Sequence, residues 1–232
     1  MAVATADHQP DNRDEGVTEF YSIGGLMTRG SLLIGLLKVL RDDLGCDAGG
    51  PAEGTGYTVL AWTRDGENWH RDREPFFDRN HEQGTWDHAM AWMDCQLLVG
   101  DELYLYYGGY ARGHKVERFT ERQIGLLRMN RDRYVSRDAG DREATLRTRK
   151  LKIVANAMTL NVDARKGTIR AQLVDANGKP IPGFTFEECK AITSDALKAP
   201  VQWKRSLKEA QGETLRLELA LRRAKLFAFD LN

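Results

Sequence analysis

From Glu19 onward the chain consists of short runs of Tyr, Val, Ile, Leu and Phe, cut at fairly regular intervals by Gly, Asp and Asn. Runs this short, closed by residues that favour turns, fit antiparallel strands rather than amphipathic helices. A helix competes at only one place, Leu32 to Leu44, and that segment lacks a polar face over most of its length. Leu32–Val39 is therefore read as a buried strand, and the chain is predicted to be all-β.

Two segments repeat one plan. In the first, Glu19–Ile23, Leu32–Val39 and Tyr57–Thr63 lead through the turn Arg64-Asp65-Gly66 to Asn68-Trp69-His70. In the second, Ala91–Val99 leads through Gly100-Asp101-Glu102 to Leu103–Tyr107, Gln123–Met129 and Tyr134-Val135-Ser136. Each amounts to about four strands, the content of one propeller blade. Residues 17–140 are accordingly read as a partial, about two-blade β-propeller. The Gly-rich stretch Gly45–Gly56, with Pro51, is predicted to be an exposed connection.

After Asp141 no tryptophan occurs until Trp203, and the alternation is cleaner. Ile169, Ala171 and Leu173 alternate with Arg170 and Gln172, and Leu215, Leu217, Leu219 and Leu221 with Arg216, Glu218 and Ala220, which predicts one core face and one wet face. Asn177-Gly178 supplies a hairpin turn, and Pro180 and Pro182 cannot donate to a ladder. Residues 141–232 are read as a small antiparallel β-sandwich. Residues 1–16, polar and charged, are read as a disordered tail.

Lys plus Arg (34) balance Asp plus Glu (34), so no net field favours a polyanion, and no nucleic-acid partner is expected. Arg142, Arg147, Arg149 and Lys150 alternate with other residue types and read as sheet surface. Three cysteines, Cys46, Cys95 and Cys189, lack metal-ligand spacing and are read as free, mostly buried thiols, so no metal and no cofactor are expected. The longest apolar run is too short to span a bilayer, which argues against a membrane partner. Residues 1–16 carry no apolar signal core, so the expected location is cytoplasmic unless a native N-terminal region bearing a signal is missing.

Thr63-Arg64-Asp65-Gly66-Glu67-Asn68-Trp69 looks like an Asp-box hairpin, in which Asp65 caps the turn and has a structural rather than catalytic role. Several further strings occur in an order that resembles bacterial proteins related to glycoside hydrolase families 32 and 43. Glu19-Phe20-Tyr21, Glu74-Pro75-Phe76, Gly84-Thr85-Trp86-Asp87, Val99–Leu103, Tyr106-Tyr107-Gly108-Gly109 and Ile124-Gly125-Leu126 resemble the last two blades of such a five-bladed propeller. Leu160–Asp163, Gly178–Phe184, Glu187-Glu188-Cys189, Val201–Lys204 and Ala224-Lys225-Leu226 resemble the β-sandwich that follows it. The resemblance covers nearly everything after residue 17. It implies a carbohydrate partner and acidic residues lining a central funnel, one protonating the leaving oxygen and another attacking the sugar or activating water. The family's earlier acid-bearing blades have no counterpart in these strings.

On that reading Glu19, at the start of the innermost strand of the first blade, and Asp87, just before that of the next, are the candidate catalytic acids. Trp86 and Trp92 are candidate sugar platforms, with His88 and His114 as candidate hydroxyl ligands. Tyr106 and Tyr107 point to opposite faces and are both expected in the core. Two blades leave open sheet faces and edges, so association with a second copy or with a complementary propeller chain is expected. The alternative is a non-catalytic carbohydrate-binding or oligomerisation module.

Overall fold

The computed structural model describes residues 16–232; of the expected tail, only Gly16 falls within them. Among the described residues the chain is all-β, with three open sheets and one short 3-10 helix at Leu207–Ala210. No helix is long and apolar enough to cross a membrane. The chain forms two compact units, one reaching Met129 and the other running from Asn130 to Asn232.

The first unit holds β1 (Thr18–Arg29), β2 (Leu32–Arg41), β3 (Thr55–Thr63), β4 (His70–Arg71), β5 (Met90–Val99), β6 (Glu102–Tyr110) and β7 (Gln123–Asn130). They form one sheet in the order β1-β2-β3-β5-β6-β7, with β4 on β3. The expected strand Leu32–Val39 is β2, whose ladder with β3 is unbroken from Leu33 to Arg41. Leu36, Leu37, Val39 and Leu40 are buried along it, as the continuous apolar run requires. β1 is less regular: its register against β2 shifts twice, between Phe20 and Ile23 and between Gly24 and Met27, and Gly25, inside the second shift, has a φ of +54°. At this irregularity Gln96 of β5 donates to the Gly25 carbonyl, and a Cβ on Gly24 would lie 2.9 Å from the Asp94 carbonyl oxygen.

β3 and β5 meet through a single parallel pair, Gly56 with Met90. Beyond it the Thr58 hydroxyl continues the join, donating to the Ala91 carbonyl at 3.1 Å and accepting from Met93 N–H at 2.9 Å. The sheet therefore consists of two antiparallel groups, β1-β2-β3-β4 and β5-β6-β7; β3 and β5 are joined by one backbone pair and a buried threonine, and Gln96 and Asp94 of β5 bond to Gly25 of β1 and Lys38 of β2.

The second unit holds β8 (Arg137–Ala139), β9 (Ala144–Arg147), β10 (Leu151–Lys152), β11 (Met158–Asp163), β12 (Thr168–Val174), β13 (Asp195–Pro200), β14 (Thr214–Arg222) and β15 (Ala224–Leu231). One sheet has the order β10-β14-β12 with β9 on β14, and the other β13-β11-β15-β8. Their inner faces share a core that includes Leu160, Val162, Ile169, Leu173, Phe184, Leu217, Leu219 and Leu226. Because β8 pairs with β15, Arg137–Ala139 belong with this unit, ahead of the boundary read at 140/141.

Several local expectations are corrected. Tyr134-Val135-Ser136 is not a strand; the next pairing begins at Arg137. The expected wet face is dry at Gln172 and Glu218, because Gln172 Nε2 donates to Glu218 Oε2 at 2.5 Å and Arg147, opposite on β9, pairs with the same carboxylate. Tyr107 is in the core, but Tyr106 is 36% exposed, on the open face of β6. All three cysteines are free, and only Cys189 is fully buried.

Candidate functional site

Asp65 is placed by its turn. Its carboxylate accepts from Glu67 N–H, Asn68 N–H, Asn68 Nδ2 and Thr63 Oγ1, which holds its pKa far below the usual carboxylate range. An acid committed to four local donors serves the turn rather than chemistry.

β1, β5 and the loop after β6 bring Tyr21, Trp92 and His114 together. Tyr21 Oη lies 2.7 Å from His114 Nε2, and its ring centroid is 4.9 Å from that of Trp92 and 5.2 Å from that of His114. Trp92 is only 5% exposed: its indole N–H donates to the Val39 carbonyl at 2.9 Å, and a Cβ on Gly56 would overlap the ring. Tyr21, 43% exposed, presents the open aromatic surface. His114 is held through its main chain. Its N–H donates to the Gly54 carbonyl, Lys115 N–H donates to the Glu53 carbonyl, and Arg118 Nη1 donates to the His114 carbonyl at 3.2 Å. The connection Gly45–Gly56, expected to be merely exposed, therefore supports the histidine.

Charges surround this cluster. Burial, then Glu19, then Asp42 push the Tyr21 phenol above its ordinary value, against Arg118. Burial and Arg118 hold the His114 imidazole below its ordinary value, against Asp42 and Glu19. At neutral pH the pair is therefore a protonated phenol beside a neutral imidazole, able to donate to and accept from ligand hydroxyls. Asp42 is engaged by Lys115, whose Nζ lies 3.0 Å from Oδ2. The Glu19 carboxylate has no hydrogen-bond or ion-pair partner among the described residues.

The remaining candidates form a different set. Trp86 stacks on Tyr107 at 5.4 Å and fills the space above Gly109 and Gly125, where a Cβ would overlap the indole. Asp87, 9% exposed, accepts from Tyr107 Oη at 3.0 Å, and burial followed by that bond pushes the phenol up to about 12. His88 is buried with both ring nitrogens engaged, one 3.1 Å from the Asn80 carbonyl and the other 3.0 Å from Asp47 Oδ1. These side chains pack and tie loops, with Asp87 bonded to Tyr107 and both His88 ring nitrogens in use.

Of the six sequence candidates, then, Glu19, Trp92 and His114 share one cluster and Trp86, Asp87 and His88 another. Sequence reasoning missed Tyr21, Asp42 and Arg118. Tyr21 stands two residues after Glu19 on the same strand and Arg118 four after His114, spacings that were visible, whereas Asp42 arrives through the fold. Among the described residues no group of three or more His, Cys, Asp or Glu side chains is gathered to hold a metal ion.

No protein-family model matches the chain, and no curated protein does. Two solved structures share limited likeness with it. One, named "Glycoside hydrolase", has 13% identity and a TM-score of 0.34 over 49% of this chain. The other, a complex named for BT0996 and RGII, has 14% identity and a TM-score of 0.40 over 56% of this chain. The matched part amounts to 29% and 35% of their lengths, about a third of each.

Proposed function

We propose that this chain is a glycoside-hydrolase-related protein that binds a carbohydrate at the Glu19–Tyr21–Trp92–His114 cluster. In this reading the first unit is a two-blade portion of a propeller, the second a β-sandwich, and the whole a fragment or subunit of a propeller glycosidase of the family 32/43 type. The carrying observation is the half-exposed Tyr21 ring, backed by buried Trp92 and hydrogen-bonded at 2.7 Å to His114. An aromatic face for the C–H side of a sugar ring and a neutral donor–acceptor pair for its hydroxyls are what saccharide recognition uses. The Glu19 carboxylate, without a hydrogen-bond or ion-pair partner among the described residues, supplies the acid. Asp42, whose charge acts on the same two residues, replaces Asp87 as its companion.

The burial of Asp87 favours a second reading, in which the cluster binds sugar without cleaving it, because the acid pair expected from sequence is not assembled. One experiment addresses both readings. Titrate neutral mono- and oligosaccharides against wild type, Tyr21→Ala, His114→Ala and Glu19→Gln, and measure release of reducing sugar in parallel. Binding lost in the Tyr21 and His114 variants supports the site, and cleavage lost in Glu19→Gln with binding retained supports catalysis. Absence of saccharide binding at millimolar concentrations refutes the carbohydrate reading. Light scattering over a dilution series tests the proposed association with a second copy or a complementary propeller subunit.

A further inference from the structure

The loop between β6 and β7, residues 111–122, carries His114 and four cationic side chains, Arg112, Lys115, Arg118 and Arg122. Two are neutralised. Arg112 lies 3.4 Å from Glu117 and 3.5 Å from Glu121, and Lys115 lies 3.0 Å from Asp42. Arg118 and Arg122 have no carboxylate within ion-pair distance among the described residues. Both guanidinium groups lie over the ring of Phe119, at 4.6 and 5.5 Å from its centroid, and that ring is 66% exposed. Arg118 alone is also bonded into the cluster, through the His114 carbonyl.

A guanidinium offers five N–H donors in a planar fork. Arg118 spends one on His114, and its plane is steadied by Phe119, so a pair of edge donors remains beside the Tyr21–His114 pair. That geometry matches a carboxylate, which takes two parallel N–H bonds. The same cluster holds the opposite charge at Glu19 and Asp42, which act on Tyr21 and His114 with the sign opposite to Arg118. A polyanion would meet the Glu19 carboxylate and be repelled, whereas a ligand with one carboxylate and several hydroxyls can orient between Arg118 and Glu19.

We infer that the saccharide this site takes is a glycuronic acid, its carboxylate received by Arg118 and its hydroxyls directed toward Tyr21, His114 and Glu19. The inference rests on the carbohydrate reading above and adds the ligand's charge to it. The test is calorimetric titration of the full chain with methyl glucuronide and methyl galacturonide against methyl glucoside and methyl galactoside. The expected result is about tenfold tighter binding of a uronide than of its neutral counterpart, as a charge-assisted bidentate contact provides. Arg118→Gln should remove that preference, the ratio of uronide to neutral-glycoside affinity being the readout because the same side chain also holds the His114 carbonyl. Arg118→Lys, which keeps the charge and loses the fork, should retain only part of it. The preference should also shrink as ionic strength rises to about 0.5 M. Equal or tighter binding of the neutral glycoside overturns the inference and leaves the carbohydrate reading intact. So does a uronide preference that survives Arg118→Gln. Failure of all four glycosides to bind removes the carbohydrate reading and this inference with it.

Discussion

Gly56→Ala tests the construction of the site without touching any group that would meet a ligand. The added Cβ would stand 2.5 Å from Trp92 Nε1 and 2.8 Å from Cε2, inside the contact distance of real atoms, against an indole that is almost fully buried. Either β3 shifts, straining its join with Met90, or the indole swings away from the Val39 carbonyl. Overpacking of this kind costs about 1–3 kcal/mol, and the lost indole hydrogen bond about 1 more, so the first unit should lose about 2–4 kcal/mol. Hydrogen exchange read peptide by peptide follows the two units separately. Protection should fall across β3 and β5 and stay unchanged in β11–β15. Tyr21 and His114, which rest on Trp92, should lose their mutual contact, visible as a shifted His114 ring resonance. A destabilisation below about 0.5 kcal/mol with the indole N–H still protected would refute the packing on which the site depends.

Further outcomes follow from the same contacts. His114 should titrate below the ordinary 6.5 of a histidine, and Arg118→Gln should raise its midpoint by removing a cation that opposes protonation; ring-proton NMR against pH checks both. The unfolded chain takes up this proton before the folded one does, so His114's contribution falls as pH drops from the ordinary value toward the folded one, and denaturation midpoints should fall with it. Asp65→Ala should speed exchange at the Glu67 and Asn68 amides yet leave saccharide affinity unchanged. Phe184→Ala, which empties a fully buried position, should cost the second unit about 3–5 kcal/mol in urea denaturation and leave exchange in β1–β6 untouched. Cys46, pushed up to about 11 chiefly by burial, should react with iodoacetamide at pH 8 far more slowly than a free thiol.

Where one interaction dominates, the sequence is a good guide. The apolar run at β2 is long enough to demand burial on both faces, and the Thr63–Trp69 turn encodes its own hydrogen bonds locally. Legibility fails where a residue's environment is supplied by a distant strand. Glu218 sits in an alternating position that reads as wet, and only the arrival of Arg147 and Gln172 makes its burial tolerable. Asp87 has the composition of a site acid, but Tyr107 and a covering loop remove it from solvent. Tyr134–Ser136 has strand-forming residues, yet the pairing opportunity on β15 is taken by the three residues that follow. In the site, His114 and Trp92 stand out by residue type. Their union with Tyr21 depends on β5 lying against β1 at the Gly24–Gly25 irregularity, a contact that sequence spacing does not encode.

The join between β3 and β5 gives the site a thermodynamic role. Tyr21 belongs to the first antiparallel group and Trp92 to the second; β3 and β5 share one backbone pair and the Thr58 hydroxyl, and side-chain bonds such as Gln96 to Gly25 and Trp92 to Val39 complete the seam. Each group can form by antiparallel pairing of strands that are neighbours in the chain, and the aromatic cluster exists only once the groups dock. A ligand bound there recognises the docked arrangement alone, so its binding free energy adds to the cohesion of the seam. Saturating ligand should therefore protect amides along β3 and β5 well away from any contact, so the sugar would act as a clamp between two half-sheets.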